Sequence, residues 1–220
     1  MTAHVPNTGT MATCWQAGAP VQLSYSDNPR RKLAWTLERV DMGGGWIGVN
    51  TARPNQVVAE AIGQSRLAPL RGYRSLRREV QFDAAAPRQN ASERGRLDFG
   101  LSDATLPGAP DALVEVKNVT LLDGELLRFP DARSERARKH LNLLIAAVAM
   151  GFRGVMLFAL NRPEGRGLAP AWDVDPLYAE RLCEAAAAGV EVIAVRLVHG
   201  RDGIVTGELL PVELGDGLGR

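Results

Sequence analysis

The clearest periodic signal lies in the second half of the chain. Leu141, Leu144, Ile145 and Val148 fall at i, i+3, i+4 and i+7, the spacing of a helix with one core-facing stripe. The helix is expected from about Ser134 to Met150, and Gly151 is placed to end it. Beyond it the period changes. GVMLFAL, Gly154 to Leu160, is a continuous apolar run of the kind found in the middle of a sheet covered on both faces. A second helix is expected over roughly Pro176 to Ala188. The strand VEVIAVRLV (Val190 to Val198) and an edge strand near Leu209 follow. Before the long helix stand three strand patterns: SLRREVQF (Ser75 to Phe82), RLDFGL (Arg96 to Leu101) and ALVEVKNVTL (Ala112 to Leu121). The loops between them hold Pro87, Gly95, Pro107, Gly108 and Pro110.

The first 50 residues have another texture. VQLSYS (Val21 to Ser26) and LAWTLERV (Leu33 to Val40) alternate, with turn signals at Asp27 to Arg31 and Gly43 to Gly45 and the run WIGVN after them. This region reads as all-β. A short helix follows, with Asn55 as its candidate N-cap and Val57, Val58, Ala61 and Ile62 on one face. The order is then helix, three strands, helix, strand, helix, strand. The first strands are expected to form an antiparallel meander. Strands joined through helices are expected as parallel neighbours with right-handed crossovers. The prediction is an α/β fold with a mixed sheet over residues 51–220, preceded by a β domain over residues 1–50.

One strand breaks its own pattern. ALVEVKNVTL is mostly apolar, yet Glu115 and Lys117 stand in the middle of it. Side chains alternate along a strand, so both point to one face with Leu113 and Val119. Buried charge is costly unless it is paired or bound to a metal. Asp98 sits in the preceding strand pattern, and a hairpin would set it across from Glu115. Two neighbouring carboxylates resist ionising together, and a hard divalent cation removes the conflict. Mg²⁺ (or Mn²⁺) is the expected ion, held by one or two carboxylates and several waters at ~2.0–2.1 Å. Asp98, Glu115 and the carbonyl of Val116 are the candidate ligands. Lys117, about 6–7 Å along the same face, is placed to reach a water or a phosphate oxygen. This set suits phosphodiester hydrolysis, and D…ExK at strand spacing is the signature of the PD-(D/E)xK nuclease superfamily. The bland alternative is a solvated E-x-K pair on a half-exposed strand.

Composition limits the partners. The 220 residues carry a net charge of +1 and are 45% hydrophobic, which is ordinary globular composition. A nucleic-acid surface therefore has to come from local clustering. Eight Arg between Arg66 and Arg96, including Arg74 and Arg77, face three acids. Arg30, Arg31 and Lys32 form a second knot. On the long helix Arg133, Arg136 and His140 share a stripe, with Lys139 beside it; that stripe reads as a phosphate contact or as a wet helix face. Glu60 on the first helix is a candidate extra metal ligand, against an ordinary solvated carboxylate. Glu79 reads equally as a strand-edge ion pair. Asp131 is a candidate cap for the long helix. Trp15, Trp35 and Trp46 are stacking platforms or small-domain core, and His4 and Asn7 bind a ligand or fix a turn. Cys14 and Cys183 form no CxxC pair, and no run approaches the ~20 apolar residues of a membrane span. A cytoplasmic protein without membrane partners is expected.

Long motifs carry a resemblance. HVPNTGTM (His4 to Met11), SDNPRRKLAWTLE (Ser26 to Glu38), GVNTARPN (Gly48 to Asn55), RLDF (Arg96 to Phe99), VEVKNVTL (Val114 to Leu121), FPDA (Phe129 to Ala132), KHL (Lys139 to Leu141) and GVEVIA (Gly189 to Ala194) resemble the sugar fermentation stimulation protein (SfsA) family in order and over nearly the whole chain. The resemblance implies an N-terminal OB-fold-like β-barrel followed by a restriction-endonuclease-like domain, and a traditional role as a DNA-binding regulator linked to sugar metabolism. Val5, Gly95 and Ala137 depart from the family's usual Cys, Ser and Gly. The strand-forming segment that the family usually carries before HxPNTG is expected to be missing, which would leave the barrel incomplete. Two functions follow: a metal-dependent nuclease acting on DNA or RNA, with Asp98, Glu115 and Lys117 at its centre, or a non-catalytic DNA-binding regulator on the same fold. The intact Asp, Glu and Lys favour the nuclease, because a binder has no need of a buried acidic pair. A third reading, basic patches for another partner, has no positive feature behind it.

Overall fold

A computed structural model describes residues 1–84 and 93–215; the turn signal at Pro87 and the charge of Arg88 lie outside the described residues. The N-terminal unit is a four-stranded sheet of β1 (Ala3–His4), β2 (Val21–Tyr25), β3 (Trp35–Asp41) and β4 (Trp46–Gly48). β2 and β4 run antiparallel to β3, and β1 runs parallel to it. The alternation read from the sequence supplies its small core, where Val40 and Ile47 meet Val49 and Cys14.

Helix α1 (Arg53–Gly63) opens the second unit. Asn55 is not its N-cap: the cap position is Ala52, without a side-chain cap bond. Pro54 fits the first turn, where no N–H is needed. The chain continues through β5 (Tyr73–Ala84), β6 (Glu93–Ala104), β7 (Ala112–Val119), β8 (Leu121–Asp123), β9 (Leu126–Phe129) and α2 (Glu135–Ala149). It finishes with β10 (Arg153–Leu160), β11 (Gly167–Pro170), α3 (Pro176–Ala187), β12 (Glu191–His199) and β13 (Ile204–Leu210). Six strands form one mixed sheet in the order β13-β12-β10-β7-β6-β5. β5, β6 and β7 are the expected antiparallel meander. β7, β10 and β12 are parallel neighbours, and β13 closes the edge antiparallel to β12.

Alternation along β7 and β10 divides the apolar residues between two cores. Val114, Val116, Val155 and Leu157 pack with α1 on one face. Leu113, Val119, Met156 and Phe158 pack with α2 and α3 on the other. β6 does not keep this alternation. Leu97 joins the α2 side and Phe99, two residues on, joins the α1 side. The slip falls at Asp98. Opposite it on β5, Glu79 takes a positive φ of 56°, and Arg78 and Val80 around it pair with Phe99 and Leu97. The β6–β7 ladder ends beside the slip, at Phe99 and Val114. The long hairpin therefore peels away from β7 at the position that carries the acid.

Three short strands escape a periodicity reading. β8, β9 and β11 form a separate sheet in the order β11-β9-β8, and their three or four residues each hold too few alternations to register. Gly95, read as a loop residue, lies inside β6, where a Cβ would come within 2.4 Å of Leu143. α2 is capped by Ser134, whose hydroxyl accepts the Ala137 N–H at 3.1 Å. Asp131, the expected cap, instead accepts the Thr10 N–H of the N-terminal unit at 2.9 Å. Gly151, with φ of 88°, follows the end of α2 as expected.

Polar ties hold the two units together. Arg53 at the start of α1 grips Glu38 on β3 through two guanidinium nitrogens at 2.7 and 2.8 Å. Arg162 donates to the Thr13 and Thr120 carbonyls at 3.1 and 2.8 Å. Gly48 N donates to the carbonyl of Asn161 at 2.8 Å, and the Asn161 side chain lies where a Cβ at Gly48 would stand.

Candidate functional site

Peeling β6 from β7 leaves an edge of β7 open, and the site forms in that gap. The Val116 N–H, with no strand partner there, donates to Asp98 Oδ2 at 2.8 Å. A strand residue's N–H and C=O point to the same edge, so the Val116 carbonyl faces the same gap. The other Asp98 oxygen, Oδ1, accepts from Asn55 Nδ2 at 2.7 Å. Asn55 thus serves the site rather than the helix end.

On the next residue of β7 toward the N-terminus, Glu115 is 3% exposed. Its Oε1 accepts from Lys117 Nζ at 2.6 Å and also contacts His140 Nδ1. Lys117 Nζ lies 3.1 Å from the same ring nitrogen. Glu115 Oε2 is buried and meets no hydrogen-bond partner. Among the described residues, four buried side-chain polar atoms are left this way, on Arg39, Glu115, Tyr178 and His199. Glu115 is the one acid, and the one that lines the cleft described next.

Asp98, Glu115 and Lys117 share the floor of a cleft of about 380 Å³. The turn Asn7–Thr8–Gly9 of the N-terminal unit forms one wall. The segment from Arg128 to Ala137, including Arg133 and Arg136, forms the other. Asn7 fixes its turn: its Oδ1 accepts the Gly9 N–H at 2.8 Å and its Nδ2 donates to the Val49 carbonyl at 3.2 Å.

Electrostatics set the two acids apart. Burial, and after it the charge of Glu115, pushes the Asp98 carboxyl above its ordinary value, against the Val116 N–H, Lys117 and Asn55. Burial also works on Glu115 in that direction, but His140 and Lys117 together outweigh it and hold the carboxyl below its ordinary value. The donors open to a hard cation are Glu115 Oε2, the Asp98 oxygens and the Val116 carbonyl. Among the described residues no group of three or more His, Cys, Asp or Glu converges on one point. A cation here would keep most of its shell as water, the habit of a small divalent ion.

Several expected site residues stand elsewhere. Glu60 is exposed and paired with Arg66 at 3.3 Å, outside the cleft lining. It lies beyond the first turn of α1 and points away from the face that carries Asn55. His140 does not share a wet stripe with Arg133 and Arg136: Arg133 precedes the cap Ser134 and lies outside α2, Arg136 is exposed, and His140, one turn on, is buried against Glu115. Lys139 is exposed beyond the lining. Glu79 pairs with Arg96 at 2.6 Å. Arg74 and Arg77 are exposed on β5. Arg30 and Lys32 are exposed on the N-terminal unit, and Arg31 donates to Thr36 Oγ1 at 2.5 Å. Trp35 packs against Tyr25 and Trp46 under Arg39, whereas Trp15 is 57% exposed. Asn55 was missed as a site residue because Asn at a helix start reads first as a cap. Its place at the end of GVNTARPN was the available signal.

Comparison with known proteins agrees with this layout. The family described as "Sugar fermentation stimulation protein RE domain" matches residues 52–203, and "SfsA N-terminal OB domain" matches residues 1–49. A sugar fermentation stimulation protein homolog of Geobacter sulfurreducens is 42% identical over 216 residues, 98% of this chain and 87% of the relative. One from Acidithiobacillus ferrooxidans is 44% identical over 197 residues, 89% of this chain and 80% of the relative. The solved structure of Pyrococcus furiosus SfsA in complex with Ca²⁺ matches with a TM-score of 0.79 at 28% identity, covering 96% of this chain and 85% of that one. The fold is thus an OB domain followed by a restriction-endonuclease-like domain. Among the described residues no helix is long and apolar enough to cross a membrane.

Proposed function

The chain belongs to the sugar fermentation stimulation protein family, and from that premise we propose that its cleft binds a divalent cation and hydrolyses phosphodiester bonds of nucleic acid. One observation carries the reading. Glu115 Oε2 is a buried acid oxygen without a partner, on a cleft floor shared with a second carboxylate and an amine. A buried acceptor left open costs about 1–3 kcal/mol, more when charged. A cation between Glu115 and Asp98 removes that cost and their repulsion together. The Ca²⁺ in the Pyrococcus furiosus relative supports an oxygen-ligand site for a hard ion. Mg²⁺ or Mn²⁺ is the proposed working ion.

Each residue then has a role. Asp98, Glu115 and the Val116 carbonyl hold the ion. Asn55 and His140 are positioning residues, fixing the Asp98 and Glu115 carboxylates. Lys117, anchored on Glu115 Oε1, places a positive charge where charge develops on the phosphate and orients the attacking water. The bound ion supplies Lewis-acid polarisation and a nucleophilic water at neutral pH. Arg133 and Arg136 at the cleft wall receive flanking phosphates, and Arg30, Lys32, Arg74 and Arg77 extend the contact over the surface. Such binding weakens steeply with salt.

The test is direct. Purified protein is incubated with labelled single- and double-stranded DNA and RNA in Mg²⁺, Mn²⁺, Ca²⁺ or EDTA. The expected result is cutting in Mg²⁺ or Mn²⁺ that stops in EDTA and is lost in Asp98→Asn and Lys117→Ala. Cutting by those variants at the wild-type rate overturns the assignment. Binding without cutting in every metal leaves the family's regulator role as the better account.

A further inference from the structure

A second cavity, of about 340 Å³, lies on the N-terminal unit and is lined mainly by apolar side chains. Trp15, Val5 and Val21 on its rim are 57%, 43% and 51% exposed, and Leu37 and Val40 form its floor with Met11. The Trp15 indole is held out by construction. The Cys14 N–H closes a turn on the Met11 carbonyl at 3.1 Å, Met11 takes a φ of 53°, and Cys14 is buried at 1% exposure. The next residue therefore projects to solvent from a rigid base. Gln16 beside it brings an amide with both a donor and an acceptor.

This groove abuts the cleft that holds Asp98 and Glu115. Thr10 lines the groove, and its N–H donates to Asp131 Oδ2, which lines the cleft, at 2.9 Å. Gly9 lines the cleft itself, and a Cβ there would fall 2.1 Å from the same carboxylate oxygen. Glycine is what lets the loop and Asp131 come this close. One residue's thickness separates the two cavities.

We infer that the Trp15 groove receives an unpaired nucleobase of the strand whose phosphate lies in the cleft, so that the substrate is single-stranded nucleic acid. The inference rests on the nuclease reading and deepens it by naming the substrate class. The groove supplies an aromatic face and a small apolar cavity, as base stacking requires. Gln16 supplies a hydrogen-bonding pair suited to a base edge. Its size fits one small planar group. Positive charge is absent from its lining and is not needed there, because the phosphates meet Arg133 and Arg136 on the far side of Thr10. A base inside a duplex has both faces stacked and cannot enter without being extruded.

The test is strand binding in EDTA, where no cutting occurs, with a labelled oligothymidylate and a blunt duplex as probes. Trp15→Ala is expected to weaken oligothymidylate binding about 5- to 150-fold, the range that one stacked base corresponds to. It should also remove the Trp15 part of the tryptophan quenching expected when the wild type binds and leave duplex affinity unchanged. Trp15→Phe should keep most of the affinity. Gln16→Ala, on the exposed rim, gives a second variant with a smaller loss that depends on the base used. Circular dichroism verifies that each variant is folded. Wild-type oligothymidylate affinity in folded Trp15→Ala overturns the inference, as does an equal loss for the duplex. So does a wild-type dimer that Trp15→Ala splits in sedimentation, which would make a second copy the occupant. If wild type cuts nothing in Mg²⁺ or Mn²⁺, the nuclease reading falls alone; if oligothymidylate binding ignores Trp15, the base pocket falls alone.

Discussion

Two glutamates of this chain, Glu38 half-buried and Glu115 buried, are held by opposite logic. Glu38, between the two units, has both oxygens met twice. Oε1 accepts from Ser24 at 2.6 Å and Arg53 at 2.7 Å, and Oε2 from Asn50 at 3.0 Å and Arg53 at 2.8 Å. Glu115 has both contacts on Oε1 and none on Oε2. A carboxylate with its acceptor sites filled is finished as structure. One with a buried open oxygen beside a second acid is destabilising in the bare protein, and it persists where something outside the chain completes it. The pair separates a tie between domains from a site, although the sequence presents both as a Glu in mid-strand with a basic residue close by, Arg39 or Lys117.

The largest expected effect breaks the comparison on function. Glu115→Gln is expected to reduce cutting of single-stranded nucleic acid by about 10²-fold or more, the scale of losing a group that stabilises developing charge or holds the ion. Glu38→Gln, in folded protein, is expected to cut close to the wild-type rate. Single-turnover rates for both variants under one saturating Mg²⁺ concentration decide it. Equal losses in the two would show that Glu115 acts only through the fold.

Metal linkage gives the next effect. At about 100 times its Kd, an ion that binds only the folded state adds ~2.7 kcal/mol. For a chain of this size that raises Tm by about 5–10 °C. Wild type and Glu38→Gln should both show the rise with Ca²⁺ or Mn²⁺. Asp98→Asn and Glu115→Gln should lose most of it. A rise of equal size in Glu115→Gln would place the ion elsewhere.

Stability in EDTA reverses the ranking. Glu38→Gln leaves Arg53 without its charged partner at the joint between β3 and α1, and is expected to cost about 1–3 kcal/mol. Glu115→Gln removes an open buried charge and leaves Lys117 unpaired at the cleft. These effects oppose, so its change should be the smaller. Urea midpoints of the two variants against wild type measure the difference.

The sequence made much of this legible, and unevenly. Strong periods gave the chain order of the elements, the antiparallel meander and the parallel neighbours, because Leu141, Leu144, Ile145 and Val148 mark one buried helix face and the run Gly154 to Leu160 a strand covered on both faces. Glu115 and Lys117 were visible because charge in an apolar strand demands a reason. The slip at Asp98 and Glu79 was not, because a positive φ at a non-glycine residue leaves no mark in residue type. His140 and Asn55 were misread for a related reason: each sits at a position with a common local role, a wet helix stripe or a cap, and only tertiary packing turns them toward the acids. Glu38 drew no notice at all. Its donors come from Ser24, Asn50 and Arg53, and nothing local announces that they converge.

The smallest expected effect, acid titration, sharpens the comparison further, because Glu38 and the Asp98 that stands beside Glu115 should respond with opposite sign. The Arg53 hydrogen bonds, against burial and with help from Ser24 and Asn50, lower the Glu38 carboxyl to about 2. Its unfolded value is about 4.3, so as pH falls the unfolded chain takes up the proton first. The contribution is complete above that value and fades as pH falls toward about 2. A shift of this size has a ceiling of ~3 kcal/mol. Arg53 is 39% exposed and the pair is screened, so about 1–2 kcal/mol is expected. The gap in urea midpoint between wild type and Glu38→Gln should close over that window. At Asp98 the sign reverses. Its carboxyl is raised by burial and by Glu115, so in EDTA the folded chain takes up that proton first and this group gains with acid, whereas Glu115, held low by His140 and Lys117, keeps the sign of Glu38. Wild type should therefore gain on Asp98→Asn as pH falls from neutral, while it loses on Glu38→Gln. Parallel slopes for the two variants would mean that Asp98, like Glu38, is held as a structural tie.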